Sequence, residues 1–326
     1  MFKIGNVNIE GKVVLAPMAG VTSLAYRNYM KPFGVALTVT EMVSDCGLIY
    51  DNQRTKDYIV TSDIERPVAI QLFGGNVDQI VEAIKIVEKE NPNFDIIDIN
   101  LGCPVNKVVN SGAGSYLLKN PQELESFMKK VVSSTTKPVT AKIRLGYSED
   151  SINFKENIKA LENAGVAAIG IHARTRDQMY AGKARYDLLK DLRDEMKVPL
   201  IVSGDIFTLD DAINAINITK ADAVMAARGG VGNPWLIKQI DTYYRTGEKL
   251  NDISLEENVR NLLDFTKMLI EEKGERRAMM ILRGIAPKFF NNYPGTKKLK
   301  NTLCQNLFSY DSLIRILNEF GYAIEQ

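Results

Sequence analysis

The sequence predicts an α/β protein: a (β/α)8 TIM barrel followed by a small all-helical C-terminal domain. Eight short β-rich runs recur along the first three quarters of the chain, spaced by roughly 30 residues, the length of one βα unit. Amphipathic stretches separate them. Beyond residue 243 the strand signal stops and only helical periodicity continues.

The first two runs are "VVLAPM" (13–18) and "VALTVTEM" (35–42). "PVAIQLF" (67–73), "FDIIDIN" (94–100) and "PVTAKIRL" (138–145) follow. The series ends with "AAIGIHA" (167–173), "PLIVSG" (199–204) and "ADAVMAA" (221–227). Near-continuous apolarity marks strands buried on both faces of a parallel sheet. Between them, "NVDQIVEAIKIVEKENP" (76–92) and "TLDDAINAINITK" (208–220) carry apolar residues at helical spacing,. Eight strands joined by seven crossovers suggest a closed ring. An open doubly wound sheet ranks second, because no G-x-G-x-x-G follows the first strand. Residues 1–243 are therefore assigned to the barrel and 244–326 to the helical domain, where "LEENVRNLLDFTKMLIEEKG" and "DSLIRILNEFG" repeat at helical spacing.

Composition fits a globular enzyme: 326 residues, 45% hydrophobic, 25% charged and a formal net charge of +1. Such a balance predicts no nucleic-acid partner by itself; a local patch would have to supply one. No basic leader or long apolar run occurs, so neither a signal peptide nor a membrane span is expected. Cys46, Cys103 and Cys304 are odd in number and far apart. No zinc or cluster motif arises from them, no metal site is expected, and a reducing cytoplasm suits them.

Barrel enzymes work at the carboxyl ends of their strands. That rule selects Met18, Glu41, Gln71, Asn100, Cys103, Lys142, Arg144, His172, Arg174, Ser203, Asp205 and Arg228. The seventh and eighth strand exits, "VSGDIFTLDDA" and "MAARGGVGNPWLI", are where barrels commonly hold a phosphate on backbone N–H groups. Two tight turns would look the same. Lys142 is either a Schiff-base former or a cation beside an electron-rich ring. His172 is the only histidine, placed either as a core residue or as a donor to a ligand. Cys103 stands in "NLGCPVNK". It is a small buried hydrophobe, or a thiol that gives a proton at neutral pH. The segment behind it, "VNKVVNSGAGSYLLKNP", has the length and glycine content of a lid or substrate loop.

The segments "LAPMAGVT", "PVAIQLFG", "DIIDINLGCPVNKVVNSGAGSYLL", "IHARTRDQMYAGKA" and "ARGGVGNPWLI" resemble, in order and spacing, the tRNA-dihydrouridine synthase family (Dus), and within it the bacterial B-type branch. The resemblance covers essentially the whole chain. It implies an FMN-bearing barrel and a helical tRNA-binding domain, with NADPH as reductant of the C5=C6 bond of uridine in tRNA. It implies cofactor contacts at Ala16, Pro17, Met18, Gln71, Lys142, His172, Ser203, Gly204, Asp205, Ala227 and Arg228. Cys103 would be the proton donor and Asn100 its neighbour at the uracil. Ser203 and Ala227 stand where Asn and Gly are more usual, which leaves those contacts to backbone N–H groups.

A flipped base needs contacts that supply its unstacking cost. Arg276, Arg277, Arg283 and Lys288 open a stretch to Tyr310 without one acidic residue, a candidate phosphate-contacting surface. Lys107, Arg144, Arg174 and Arg176 would extend it at the barrel rim. No obligate protein partner is expected. The enzymatic alternative is a dihydroorotate- or dihydropyrimidine-type flavin dehydrogenase acting on a free pyrimidine.

Overall fold

Alternating side chains along eight parallel strands divide this protein's apolar residues into a barrel interior and an outer layer. The computed structural model describes residues 1–322; positions 323–326 of the expected helical domain lie outside the described residues. A two-stranded hairpin comes first, β1 (Phe2–Ile4) and β2 (Val7–Ile9). The barrel strands follow: β3 (Val13–Leu15), β4 (Thr38–Val39), β6 (Val68–Phe73), β7 (Ile96–Asn100), β8 (Val139–Arg144), β9 (Ala168–His172), β10 (Leu200–Ser203) and β11 (Ala223–Ala226). A short β5 (Val43–Ser44) continues the path of β4 along β6.

All eight expected strands form, shorter at their ends. Their order is β3-β11-β10-β9-β8-β7-β6-β4. A parallel bridge from Val14 to Leu37 brings the ring back on itself. Ala36 N donates to Val13 O at 2.8 Å, and Leu15 N to Leu37 O at 2.9 Å. Of the second expected strand only Thr38 and Val39 stay in the sheet as β4; at Thr40 the side chain enters the ladder, where its Oγ1 accepts from Gln71 N at 3.1 Å.

Inside the ring, Val14, Ala16, Leu37, Val39, Ala69, Ile96, Ala168, Ile201, Ala223 and Met225 pack together. Ile4 and Ile9 of the hairpin join them and plug the amino-terminal end of the barrel. The sequence reading passed over this hairpin because each strand has only three residues. Its signal was the Gly5-Asn6 pair between "FKI" and "VNI", a two-residue hairpin turn. Alternate strand residues such as Val13, Leu15, Val68, Ile70, Ile97 and Ile99 face outward onto helices, as a period of two requires.

The expected boundary at 243/244 falls within helix Pro234–Thr246, which ends at Gly247 in the left-handed conformation. Helices Leu255–Lys273, Glu275–Ile285, Lys297–Asn306 and Tyr310–Glu319 follow. Ser254 starts the first of them with a capping box: its Oγ accepts from Glu257 N, and its own N–H donates to Glu257 Oε2 at 2.9 Å,. This helical region shares the outer core of the barrel. Phe265 meets the Tyr26 ring edge-on at 5.6 Å and stacks near Phe289. Asn258 Nδ2 donates to Phe289 O and Gly232 O. Gly232 has φ +72°, and a Cβ there would stand 2.4 Å from the Lys288 carbonyl carbon. Only glycine permits that approach. Among the described residues no helix is long and apolar enough to cross a membrane.

Candidate active site

The carboxyl ends of the strands open into a pocket of about 450 Å³, within the usual range for small-molecule sites. Ala16, Pro17 and Met18 supply one wall after β3. Asn100, Gly102 and Cys103 come from the exit of β7, and Lys142 and Arg144 from β8. His172 ends β9, Ser203, Gly204 and Asp205 end β10, and Ala227 and Arg228 end β11. Lys288 reaches the same pocket from the helical region.

Lys142 is half-buried at this floor, with Nζ 3.3 Å from Ser203 Oγ. Burial, then repulsion from Arg144, pulls its pKa down to about 8 despite the field of Asp98. Ser203 Oγ also lies 3.3 Å from His172 Nδ1. Burial, followed by the cations Lys142, Arg144, Arg174 and Arg228, holds His172 well below its ordinary value. The ring is thus neutral at pH 7, one nitrogen donating its N–H and the other accepting.

Arg144 is buried and spends its guanidinium on backbone carbonyls, with Nε to Gly102 O at 2.8 Å and Nη1 to Thr175 O and Met179 O. It therefore clamps the Cys103 turn to the loop after β9. Arg228 has a side chain 48% exposed and lies between the Tyr180 and Phe207 rings, 5.1 and 5.7 Å from their centroids. Asp205, with φ +50°, sits 3.5 Å from it. Burial opposes ionisation of Asp205, but hydrogen bonds from Arg174 and the Ala184 N–H outweigh it and keep the carboxyl below its usual range.

Cys103 is 8% exposed and faces the pocket. Burial pushes its thiol above the ordinary value, against smaller opposing effects from the Val105 N–H and Arg144. It packs with Val108, Ala113, Met42 and Phe73 in a small cluster separate from the main core. Ser115 N and Oγ both donate to Cys103 O. Gly114 has φ +60°, where a side chain is strained, and a Cβ there would press on Cys103 O at 3.0 Å and Cys103 Cβ at 3.2 Å. The segment expected as a lid or substrate loop is folded, with helix Asn106–Val109 and a 3-10 segment Gly114–Lys119.

Other expected residues stand elsewhere. Arg174, expected at the substrate, is 1% exposed. Its guanidinium donates to Ala181 O, Gly182 O and Asp205 Oδ2, because that loop folds over it. Gln71 is wholly buried and meets the pocket only through Asn100, whose Nδ2 donates to Gln71 Oε1 at 2.8 Å. Arg176 ties loops together, from Nη2 to Asn106 Oδ1 at 2.5 Å and over the Tyr147 ring. Lys107, Arg276 and Arg277 are exposed outside the pocket. Arg283 donates to Leu307 O and lies over Phe308. Sequence reasoning missed Tyr180, Phe207, Met42, Val105 and Val231 as lining residues. Only the loop position of Tyr180 and Phe207 offered a signal.

A pocket at the carboxyl ends of eight parallel strands, floored by cations and edged by a thiol, defines a (β/α)8-barrel enzyme. The helical region that lends it Lys288 narrows the class further. The chain belongs to the dihydrouridine synthase (Dus) family, whose model matches residues 14–322. It is 34% identical over 304 residues to the probable tRNA-dihydrouridine synthase of Rickettsia conorii, covering 93% of this chain and 91% of that protein. It is 33% identical over 281 residues to tRNA-dihydrouridine synthase B of Shewanella oneidensis, covering 86% and 87%. In fold it is similar to the old yellow enzyme homologue of Zymomonas mobilis, with TM-score 0.51 and 11% identity over 77% of this chain and 93% of that one. Histamine dehydrogenase from Rhizobium sp. aligns with TM-score 0.53 and 15% identity over 82% of this chain and 50% of that one.

Proposed function

We propose that this protein reduces the C5=C6 bond of uridine in tRNA to 5,6-dihydrouridine, with FMN as cofactor and NADPH as reductant, in the cytoplasm and without an obligate protein partner. The observation that carries the reading is the placement of Cys103, a protonated thiol facing the same pocket as the cations Lys142, Arg228 and Lys288. The donor set suits a phosphate-bearing ring. Among the charged residues lining the pocket, Lys142, Arg144, Arg228 and Lys288 are basic and Asp205 alone is acidic. Asp205 is already committed to Arg174 at 2.5 Å.

Bound flavin would supply the hydride for C6 of the pyrimidine. The chain supplies the rest. Ala16, Pro17 and Met18 would form the wall against the ring, with Lys142 at its polar edge, Gln71 acting there through Asn100, and His172 behind. Ser203, Gly204, Asp205, Ala227 and Arg228 would hold the phosphate on backbone N–H groups and one guanidinium. A uracil that takes hydride at C6 carries negative charge at C5 and on the C4 oxygen, and Cys103 delivers the proton to C5. Burial keeps that thiol protonated, which suits an acid that must hold its proton until charge develops. Lys142, titrating at about 8, shifts towards its charged form whenever an anion lies beside it.

Residues 1–243 would form the catalytic barrel and the helical region from 244 the tRNA-binding domain. Arg276 and Arg277 are among its exposed cations; Lys288 spans grip and pocket, and Lys107 and Arg176 lie at the opposite rim. A free pyrimidine would make that basic surface superfluous. Mass spectrometry of tRNA from cells lacking the protein tests the function. Loss of the two-hydrogen mass increment at particular uridines supports it, and an unchanged tRNA would refute it.

A further inference from the structure

We propose that Asp98, buried in the barrel and absent from the pocket wall, is a positioning residue that fixes the Cys103 thiol through a chain of side-chain amides of set polarity. The proposal rests on Cys103 being the proton donor. Asp98 lies opposite Gln71 on β6 and Thr140 on β8 in the strand register. Thr140 Oγ1 donates to Asp98 Oδ1 at 2.6 Å, and Gln71 Nε2 donates to Asp98 Oδ2 at 2.6 Å. Gln71 Oε1 then faces Asn100 and accepts from its Nδ2 at 2.8 Å. Asn100 Oδ1 faces the turn, where it accepts from Gly102 N at 3.1 Å and Cys103 N at 2.8 Å.

A carboxylate only accepts hydrogen bonds, whereas an amide can present either end. Asp98 therefore dictates that Gln71 points its NH2 inward and its oxygen outward. That in turn dictates the same for Asn100, whose oxygen alone can receive two backbone N–H groups. Without the acceptor at 98, Gln71 loses its reason to choose, and the reversed order would set the Asn100 NH2 against the N–H groups of Gly102 and Cys103. Buried donors facing donors are not tolerated, so the turn would let go. The Cys103 cluster has few apolar partners of its own, and this anchor ties it directly to the barrel.

The test is alkylation of the purified full chain by iodoacetamide, read site by site by peptide mass spectrometry. It requires neither turnover nor tRNA, so its outcome is separable from that of the proposed reaction. In Asp98→Leu, Cys103 should react at least about fivefold faster, as a locally opened turn would, while Cys46 on a neighbouring unit keeps its rate. Asp98→Asn should rescue: its oxygen can serve Gln71 while the Thr140 hydroxyl turns to accept from its NH2. Unchanged Cys103 reactivity in Asp98→Leu overturns the proposal. So does parallel acceleration of Cys46, which would report general loosening, or an Asp98→Asn protein that behaves like Asp98→Leu. Should Asp98→Leu not fold, Gln71→Leu cuts the chain one link later. It must give the same selective acceleration, and equal rates there overturn the proposal as well.

Discussion

At residue scale the proposed chemistry depends on two groups whose proton affinity the fold has altered. Replacing Cys103 by Ala leaves untouched the turns after β10 and β11 that would hold the phosphate. The variant should bind flavin and accept electrons from NADPH, yet its reduced form should be oxidised by tRNA about 10²–10⁴-fold more slowly, the usual worth of a positioned acid. Rapid-mixing absorbance reads that step; an unaltered rate removes Cys103 from the mechanism. Lys142 makes a second, sign-specific prediction. Its native pKa is lowered to about 8, whereas an unfolded lysine titrates near 10.4. Between those values the unfolded chain binds more protons, so stability must rise as pH climbs through that window and level off on either side. Lys142→Met should flatten the rise, by on the order of 2–3 kcal/mol between about pH 7 and about pH 10. Urea denaturation of both proteins at the two pH values measures it. A rise of the same size in the variant would assign it to other groups, such as Lys31, also lowered to about 8 by burial.

At the scale of elements, strand positions were legible because parallel strands covered on both faces are mostly apolar: 13–15 is so throughout, and 96–100 and 139–144 are broken only by Asp98, Asn100, Thr140, Lys142 and Arg144. Strand ends were less legible, since Thr40 and Glu41 read as strand but leave the ladder. Site residues on strand ends were legible for the same reason as the strands: β7 must deliver Asn100, and β10 must deliver Ser203, to the open end. Loop side chains were not. An arginine two residues past a strand can face solvent or fold back onto carbonyls, and only the path of 175–182 decides that Arg174 does the latter. Asp98 escaped notice because a charge amid "FDIIDIN" carries no mark of whether partners await it inside the ring. The glycine turns give an element-scale prediction. Gly232→Ala would combine a left-handed φ with a backbone collision at Lys288, each costing on the order of 1–3 kcal/mol. Calorimetry should show a thermal midpoint lower by several degrees, and tRNA affinity should fall with it. A wild-type midpoint would mean that the helical region yields freely at this seam.

For the whole molecule, a net charge of +1 conceals an uneven distribution. The stretch from Arg276 to Tyr310 has no carboxylate, and Arg276 and Arg277 are exposed there. Affinity for tRNA should therefore fall steeply with salt, and changing both to Glu should lower the slope of log K against log salt by about one per lost phosphate contact. Filter binding across a salt series checks this; a slope that does not move places the RNA elsewhere. Arg283 makes a poorer probe, since it also holds Leu307 O. The shared core of barrel and helices, with Gly232 pressed against Lys288, has a mechanical meaning. A handle joined to its blade without a joint works at one reach only. On the proposed reading, a uridine would then be chosen by how far it projects from the body of its RNA, with no need to read the bases beside it.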